Sequence, residues 1–163
     1  FFFFNVTATT EIYTESFVGS VNVYNDRVAD AALGPATTPT HRVASPATHL
    51  YSGPKAQAPE RHPLYLNSRV TVTGQDGKWA ITPQGFIPAS HLAPIGTPAA
   101  DPVAVAEMLL HTPYLWGGNT VAGIDCSGLA QAALLAAGIP CPGDSDLQQT
   151  VGAAIPDTAP LQR

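Results

Sequence analysis

Residues 111–143, HTPYLWGGNTVAGIDCSGLAQAALLAAGIPCPG, contain both cysteines of the chain. Glycines and aromatic residues crowd the stretch before Cys126, and an apolar run follows it directly. This pattern places Asp125 and Cys126 at the start of a helix. The first helical turn has N–H groups without intrahelical acceptors, and its dipole favours negative charge by about 0.3–1 kcal/mol, up to ~2 when partly buried. A thiolate forms more readily there than in a free cysteine, and the same N–H groups can stabilise an oxyanion on an attacked carbonyl. Ser127 and Gly128 keep the approach small. Cys126 is therefore the candidate nucleophile. A cysteine at this place serves equally well as a small buried hydrophobe, and placement alone leaves both readings open. Cys141, between prolines in GIPCPG, lacks the helix setting. A Cys126–Cys141 disulfide is allowed by the spacing and specified by nothing.

A cysteine nucleophile needs a base, and the base needs an orienting group. The chain has 5 histidines. His41, His49, His62 and His91 fall in a β-patterned region or its linkers. His111 ends the segment before the glycine-rich loop, and no histidine follows it. No CxxC and no histidines at finger spacing accompany the cysteines, so no metal site and no cofactor are expected.

The whole chain narrows the function classes further. Its 163 residues make one ordinary domain or two small ones, and 45% hydrophobic content permits a sizeable core. The formal charge is -5 and no Lys/Arg cluster occurs, which argues against a nucleic-acid partner. No apolar stretch reaches spanning length, so no membrane partner is expected. The chain opens on FFFF without Met or a basic flank, which reads as a processed or truncated end rather than a signal peptide.

The elements that must position Cys126 follow from periodicity. In residues 1–34, FVGSVNVYND (17–26) alternates like a strand and VADAALG (28–34) reads as a helical turn. PATTPTHRVASPA (35–47) reads as a linker. Residues 48–94 read as a small all-β unit. A short strand enters a loop at Ser52-Gly53-Pro54, and SRVTVTG (68–74) alternates Val70 and Val72 on one face. Asp76-Gly77 marks a hairpin turn, Trp79 and Ile81 share the next face, and Gly85 turns the chain before Phe86 and Ile87. Val70, Val72, Trp79, Ile81 and Phe86 are the expected core. APIGTPAADP (93–102) reads as a second linker. A helix is expected over 101–112, with Asp101 as N-cap, Pro102 at its first position, and Pro113 ending it. Val105, Met108 and Leu109 form its apolar stripe. YLWGGNTVAG (114–123) reads as an irregular loop. The helix from Cys126 closes at Gly138 and is apolar on nearly all sides, so it should be buried. A last short helix is expected over 144–151, capped by Asp144 or Ser145.

TPYLWGG…GIDCSGL closely resembles the start of the NlpC/P60 family of papain-like cysteine peptidases. The resemblance spans roughly 101–163 and rests on Tyr114, Trp116, Gly117, Gly118, Asp125, Cys126, Ser127, Gly128 and Leu129. RVTVTGQDGKWAITPQGFIPASHL resembles a bacterial SH3-like module, which often precedes that peptidase domain. The combination is similar to γ-D-glutamyl-diamino-acid endopeptidases of the bacterial cell wall. It implies an α+β chain, with a small SH3-like β-barrel (42–94) followed by the helical N-terminal portion of a papain-like domain (101–163). Residues 1–34 would then be the remnant of a first such module.

The resemblance also implies roles. Cys126 is the nucleophile, and Tyr114 points its hydroxyl at the cysteine to help with the oxyanion. Gly117 and Gly118 let the loop fold close to the helix start, Trp116 packs beside the cleft, and Asp125 caps N–H groups without acting as base. The family's catalytic histidine lies on a strand after the cysteine helix, where this chain has none. The domain is therefore expected to be incomplete, stopping before its catalytic sheet, and this stretch alone to be inactive. The implied partners are peptidoglycan stem peptides or free muropeptides. The oligomeric state stays open, as does the compartment, with the cytoplasm slightly favoured over export. The alternative from a different class is a non-catalytic SH3-like module that binds wall peptides.

Overall fold

The computed structural model describes residues 38–153. The chain divides into two compact units, Phe1–Thr97 and Pro98–Arg163. The strand and helix expected within residues 1–34, and the remnant module assigned there, lie outside the described residues.

Among the described residues, the first unit has eight short strands. β1 (His41–Val43), β2 (Ala47–Tyr51), β3 (Glu60–Tyr65) and β4 (Arg69–Val70) are followed by β5 (Gly74–Asp76), β6 (Trp79–Thr82), β7 (Gly85–Pro88) and β8 (Leu92–Pro94). They form a three-stranded sheet in the order β4-β1-β8 and a five-stranded sheet in the order β3-β2-β7-β6-β5. Every pairing within these sheets is antiparallel. Side chains from both sheets fill the core: Val43, Leu50, Leu64, Val70 and Ile87, with Val72 and Leu92 packed against them. Val43 and Ile87 have no exposed surface at all.

The stretch 35–47 is not all linker, because β1 lies within it. Its Pro, Thr and Ser content hides one residue, Val43, that the core needs. The expected strand over 68–74 is two strands in different sheets. Between them the backbone turns a corner held by threonines: Val72 N donates to Thr40 Oγ1 at 2.9 Å and Thr73 N to the Ile81 carbonyl at 2.8 Å.

The face of β6 is reversed. Ala80 and Thr82 are buried while Trp79 and Ile81 are half-buried on the other side. Trp79 meets Tyr51 edge-on at 5.3 Å between ring centroids, and Tyr51 neighbours the core residue Leu50. In β7 it is Ile87, not Phe86, that enters the core. The register explains this, because Ala80 pairs with Ile87 and Ile81 with Phe86, and paired residues point to the same face. The hairpin turn also sits one residue later than expected. Asp76 pairs with Trp79, so the loop is Gly77-Lys78, with Gly77 at φ 55.

Strand β3 escaped sequence reading because Glu60, Arg61, His62 and Pro63 do not look like a strand. It is an edge strand of its sheet, where a proline and exposed charges are tolerated. Gly85 is required for two reasons. Its φ is 151, and a Cβ there would strike the Tyr51 carbonyl on β2.

Ile87→Ala should destabilise this unit by about 2–5 kcal/mol, the usual range for emptying a filled core site. Ile95→Ala, at a side chain 39% exposed, should stay within ~0.5 kcal/mol. Urea unfolding followed by circular dichroism distinguishes the two.

The second unit contains α1 (Pro102–Glu107), β9 (Asn119–Thr120), β10 (Gly123–Ile124), α2 (Cys126–Ala136) and α3 (Ser145–Gln148). Among the described residues its only sheet is the β9–β10 ribbon. Asp101 caps α1 as expected, accepting from Val103 N at 2.8 Å, with Pro102 at the first position. The helix ends well before Pro113, however. After Met108 the chain continues in tighter turns, Leu109 N to Ala106 O and Leu110 N to Glu107 O, until His111 takes φ 69. The expected stripe is reduced accordingly: Val105 and Leu109 are buried, while Met108 is 41% exposed.

The packing of α2 also differs. Its buried face is Gly128, Gln131, Ala132, Ala133 and Ala136, whereas Leu129, Leu134 and Leu135 are only half-buried. At Gly128 the Gly118 carbonyl leaves no room for a Cβ. Gly138, at φ 77, follows the end of α2 as anticipated.

Candidate active site

The site is built outward from Asp125. Its backbone is extended and its side chain caps α2, with Oδ1 accepting from Gly128 N at 2.7 Å and from the Ser127 hydroxyl at 3.1 Å. The other oxygen, Oδ2, accepts from Gly117 N at 2.8 Å. One carboxylate thus joins the start of the cysteine helix to the aromatic, glycine-rich loop. Sequence reading assigned Asp125 the cap. It missed the bond to Gly117, because the sequence alone does not reveal that the loop doubles back.

The loop is not irregular. Tyr114 forms a parallel bridge with Ile124. Leu115 N donates to Ile124 O at 3.1 Å, Ile124 N to Pro113 O at 3.1 Å, and Asp125 N to Gly118 O at 3.0 Å. The β9–β10 hairpin closes the far side, pairing Gly123 with Thr120 and Ile124 with Asn119. This zipper runs the backbone of Tyr114 beside the two residues that precede Cys126.

The glycines make the zipper possible. A Cβ on Gly118 would lie 2.5 Å from the Gly123 carbonyl, and one on Gly123 would lie 2.6 Å from the Leu115 side chain. One on Gly128 would strike the Gly118 carbonyl. Gly117 answers a different need: it has open space around it and a φ of 72. The Leu115 side chain lies over Gly123 and is itself 40% exposed. Trp116 is 68% exposed and Tyr114 66% exposed.

Cys126 occupies the first position of α2 and is exposed, while Cys141 is buried and its thiol donates to the Pro142 carbonyl at 3.5 Å. No disulfide joins them. Among the described residues, no acceptor engages the backbone N–H groups of Cys126 and Ser127, whereas Gly128 N is taken by Asp125 and Leu129 N by the Asp125 carbonyl. An exposed sulfur therefore sits beside two available donors. No hydrogen bond joins the Tyr114 hydroxyl to Cys126, where the resemblance implied that it would point.

The histidines divide by unit. His91 Nδ1 is 2.7 Å from the Thr48 hydroxyl, His41 Nδ1 is 2.9 Å from that of Thr40, and His49 packs edge-on to Tyr51. His111 is exposed and is the histidine of the second unit. Among the described residues, no group of three or more His, Cys, Asp or Glu side chains is placed to hold a metal ion. No helix among them is long and apolar enough to cross a membrane.

In the folded protein Cys126 should be carbamidomethylated at least ~10-fold faster than Cys141, because thiol reactivity requires access and Cys141 is 5% exposed. A time course read by peptide mass spectrometry checks this; equal rates would show that the described burial does not hold in solution.

The helix-start cysteine, its cap and the glycine-rich loop zipped to it all lie within residues 111–162, which match the NlpC/P60 family. That match covers 52 of the 163 residues. The chain is similar to a γ-D-glutamyl-L-lysine dipeptidyl-peptidase of Bacillus cereus, 40% identical over 70 residues, covering 42% of this chain and 21% of that protein. The crystal structure of an NlpC/P60 family protein from Bacillus cereus aligns with a TM-score of 0.60 at 28% identity, over 73% of this chain and 43% of the other. The chain thus spans about a fifth of the length of the curated relative and under half of the solved one.

Proposed function

We propose that this chain carries the nucleophile half of a cysteine peptidase that hydrolyses γ-D-glutamyl-diamino-acid bonds in peptidoglycan stem peptides or free muropeptides. The observation that carries the proposal is the exposed Cys126 thiol beside the unengaged N–H groups of Cys126 and Ser127. The match of residues 111–162 and the relative that acts on a γ-D-glutamyl-L-lysine substrate support the substrate class.

The chemistry of this reading is acyl transfer through a thioester. Cys126 Sγ, as thiolate, attacks the γ-carbonyl carbon of the glutamyl residue. A C–S bond forms, and the carbonyl electron pair moves onto oxygen, where the Cys126 N–H and the Tyr114 hydroxyl stabilise it. Collapse breaks the C–N bond, and the amine of the diamino acid leaves with the proton first taken from the thiol. Water then hydrolyses the thioester and restores the thiol. The proton carrier is a histidine on a strand following α2. No residue after Cys126 in this sequence is a histidine, and His111 precedes the glycine loop. In this reading residues 101–163 are an incomplete catalytic domain and residues 42–94 an SH3-like module.

The test is turnover of a stem tetrapeptide containing the γ-D-glutamyl-diaminopimelate bond, followed by mass. A longer protein that includes the strand-borne histidine should cleave it, and residues 1–163 alone should not. Absence of cleavage by the longer protein contradicts the peptidase reading.

One observation favours a second reading for the β unit. His49, Tyr51, Trp79, Ile81 and Phe86 lie on the side of the five-stranded sheet away from the core, with Tyr51 between the rings of His49 and Trp79. Such a surface suits binding of wall peptides without cleavage. Peptide binding by residues 38–97, lost in Trp79→Ala, is its mark.

A further inference from the structure

We propose that Gln148 is a positioning residue for the nucleophile, holding the first turn of α2 in place through its side-chain amide. The inference rests on the reading of Cys126 as nucleophile, and its test reads the thiol rather than turnover.

The helix α3 has four residues, too short to be stable alone. Its placement must come from contacts. Yet its apolar residue faces outward: Leu147 is 46% exposed. The residue of α3 that is not exposed is Gln148. Its Nε2 donates to two backbone carbonyls, Ser127 O at 2.9 Å and Pro142 O at 2.9 Å. A primary amide has two N–H groups, and both are used.

The Ser127 carbonyl belongs to the peptide unit between Ser127 and Gly128. The N–H of that same unit is held by Asp125 Oδ1 at 2.7 Å. Side chains from opposite directions therefore grip both ends of one peptide plane, in the first turn that carries Cys126. A carbonyl oxygen has a second lone pair, so Ser127 O can accept from Gln148 as well as from the helix. The other bond serves the segment after α2. Pro142 O is held by Gln148, and the preceding carbonyl, of Cys141, by Gln131 Nε2 at 3.1 Å. Two glutamines thus hold consecutive carbonyls and keep Cys141 buried.

Gln148→Met keeps the length and shape of the side chain and removes both donors. Gln149→Met is the control: it is the next residue, exposed, and its amide reaches only Asp146 O at 3.2 Å. A role limited to helix stability would be disturbed by both variants alike. In Gln148→Met, carbamidomethylation of Cys126 should slow by about threefold or more, as expected when a reacting group loses its fixed orientation. Labelling of Cys141 should accelerate, and Gln149→Met should match the unaltered protein at both thiols. A Cys126 rate within ~1.5-fold of the unaltered protein in Gln148→Met overturns the proposal. So does an equal slowing in Gln149→Met. If Gln148→Met does not fold, hydrogen exchange in the unaltered protein decides. The Gln148 side-chain amide protons should exchange about tenfold or more slower than those of Gln149, and equal exchange overturns the assignment. A protein that labels as expected but cleaves no peptide would leave Gln148 in its role and remove the peptidase reading instead.

Discussion

Cys126→Ala, in a longer protein that supplies the histidine, should lower kcat/KM for the γ-D-glutamyl peptide by on the order of 10⁴-fold or more. No other group at the helix start can replace the sulfur. Ser127 is already committed, its hydroxyl donating to Asp125 at 3.1 Å, and Cys141 is buried. The same substitution should leave stability within ~0.5 kcal/mol, because the side chain is exposed and the Asp125 cap remains. Activity lost without stability separates a reacting group from a packing one. Cys126→Ser should be nearly as inactive, since a hydroxyl is a poor nucleophile without a base matched to it. The assay is steady-state cleavage, with thermal unfolding on the same samples.

Asp125→Asn should damage both the fold and the chemistry. The carboxylate accepts on both oxygens, from Gly117 N on one side and from Gly128 N and the Ser127 hydroxyl on the other. An amide has one acceptor oxygen and an NH₂ group, so whichever way it turns, a donor faces a donor. The loss of one charge-assisted hydrogen bond and of a negative charge at the helix start amounts to about 2–4 kcal/mol. For a unit of this size, that lowers the melting midpoint by about 10 °C or more. The chemical effect comes from the loop. Gly117 is tied to the helix through this carboxylate, and Tyr114 belongs to the same loop. Displacement of a reacting constellation by about 1 Å costs on the order of 10²-fold in rate. Asp125→Asn should therefore fall well below the unaltered protein in kcat even at temperatures where it is fully folded. A variant as active and as stable as the unaltered protein would show that the carboxylate does not hold the loop.

Much of this site was legible because capping chemistry is local. Asp101-Pro102 and Asp125-Cys126 announce helix starts through residues next to the backbone groups they satisfy, and both are found where expected. The reach of Asp125 to Gly117, and of Gln148 to Ser127 and Pro142, was not legible. These bonds depend on how the chain returns on itself, and a polar residue carries no mark of its distant partner. The β unit shows the same division. The hairpin at Gly77 is a local signal and was displaced by only one residue. The burial of Ala80 and Ile87 instead of Trp79 and Phe86 was decided across the sheet by register. Size misled the reading, since the largest side chains were assigned to the core and the close-packed interior took the smaller ones. In α2 the same preference appears, with Ala132, Ala133 and Ala136 buried and the leucines at the margins.

The bond that defines the proposed reaction is the thioester between Cys126 Sγ and the γ-glutamyl carbonyl carbon. It can be captured by mixing the longer protein with the stem peptide, quenching in acid within the first turnover, digesting, and weighing the peptide that contains Cys126. The prediction is a mass increase equal to the glutamyl-bearing product less water, on that peptide and on no other, absent from Cys126→Ala. Turnover that persists undiminished in Cys126→Ala, with acyl mass on a different residue, would contradict it.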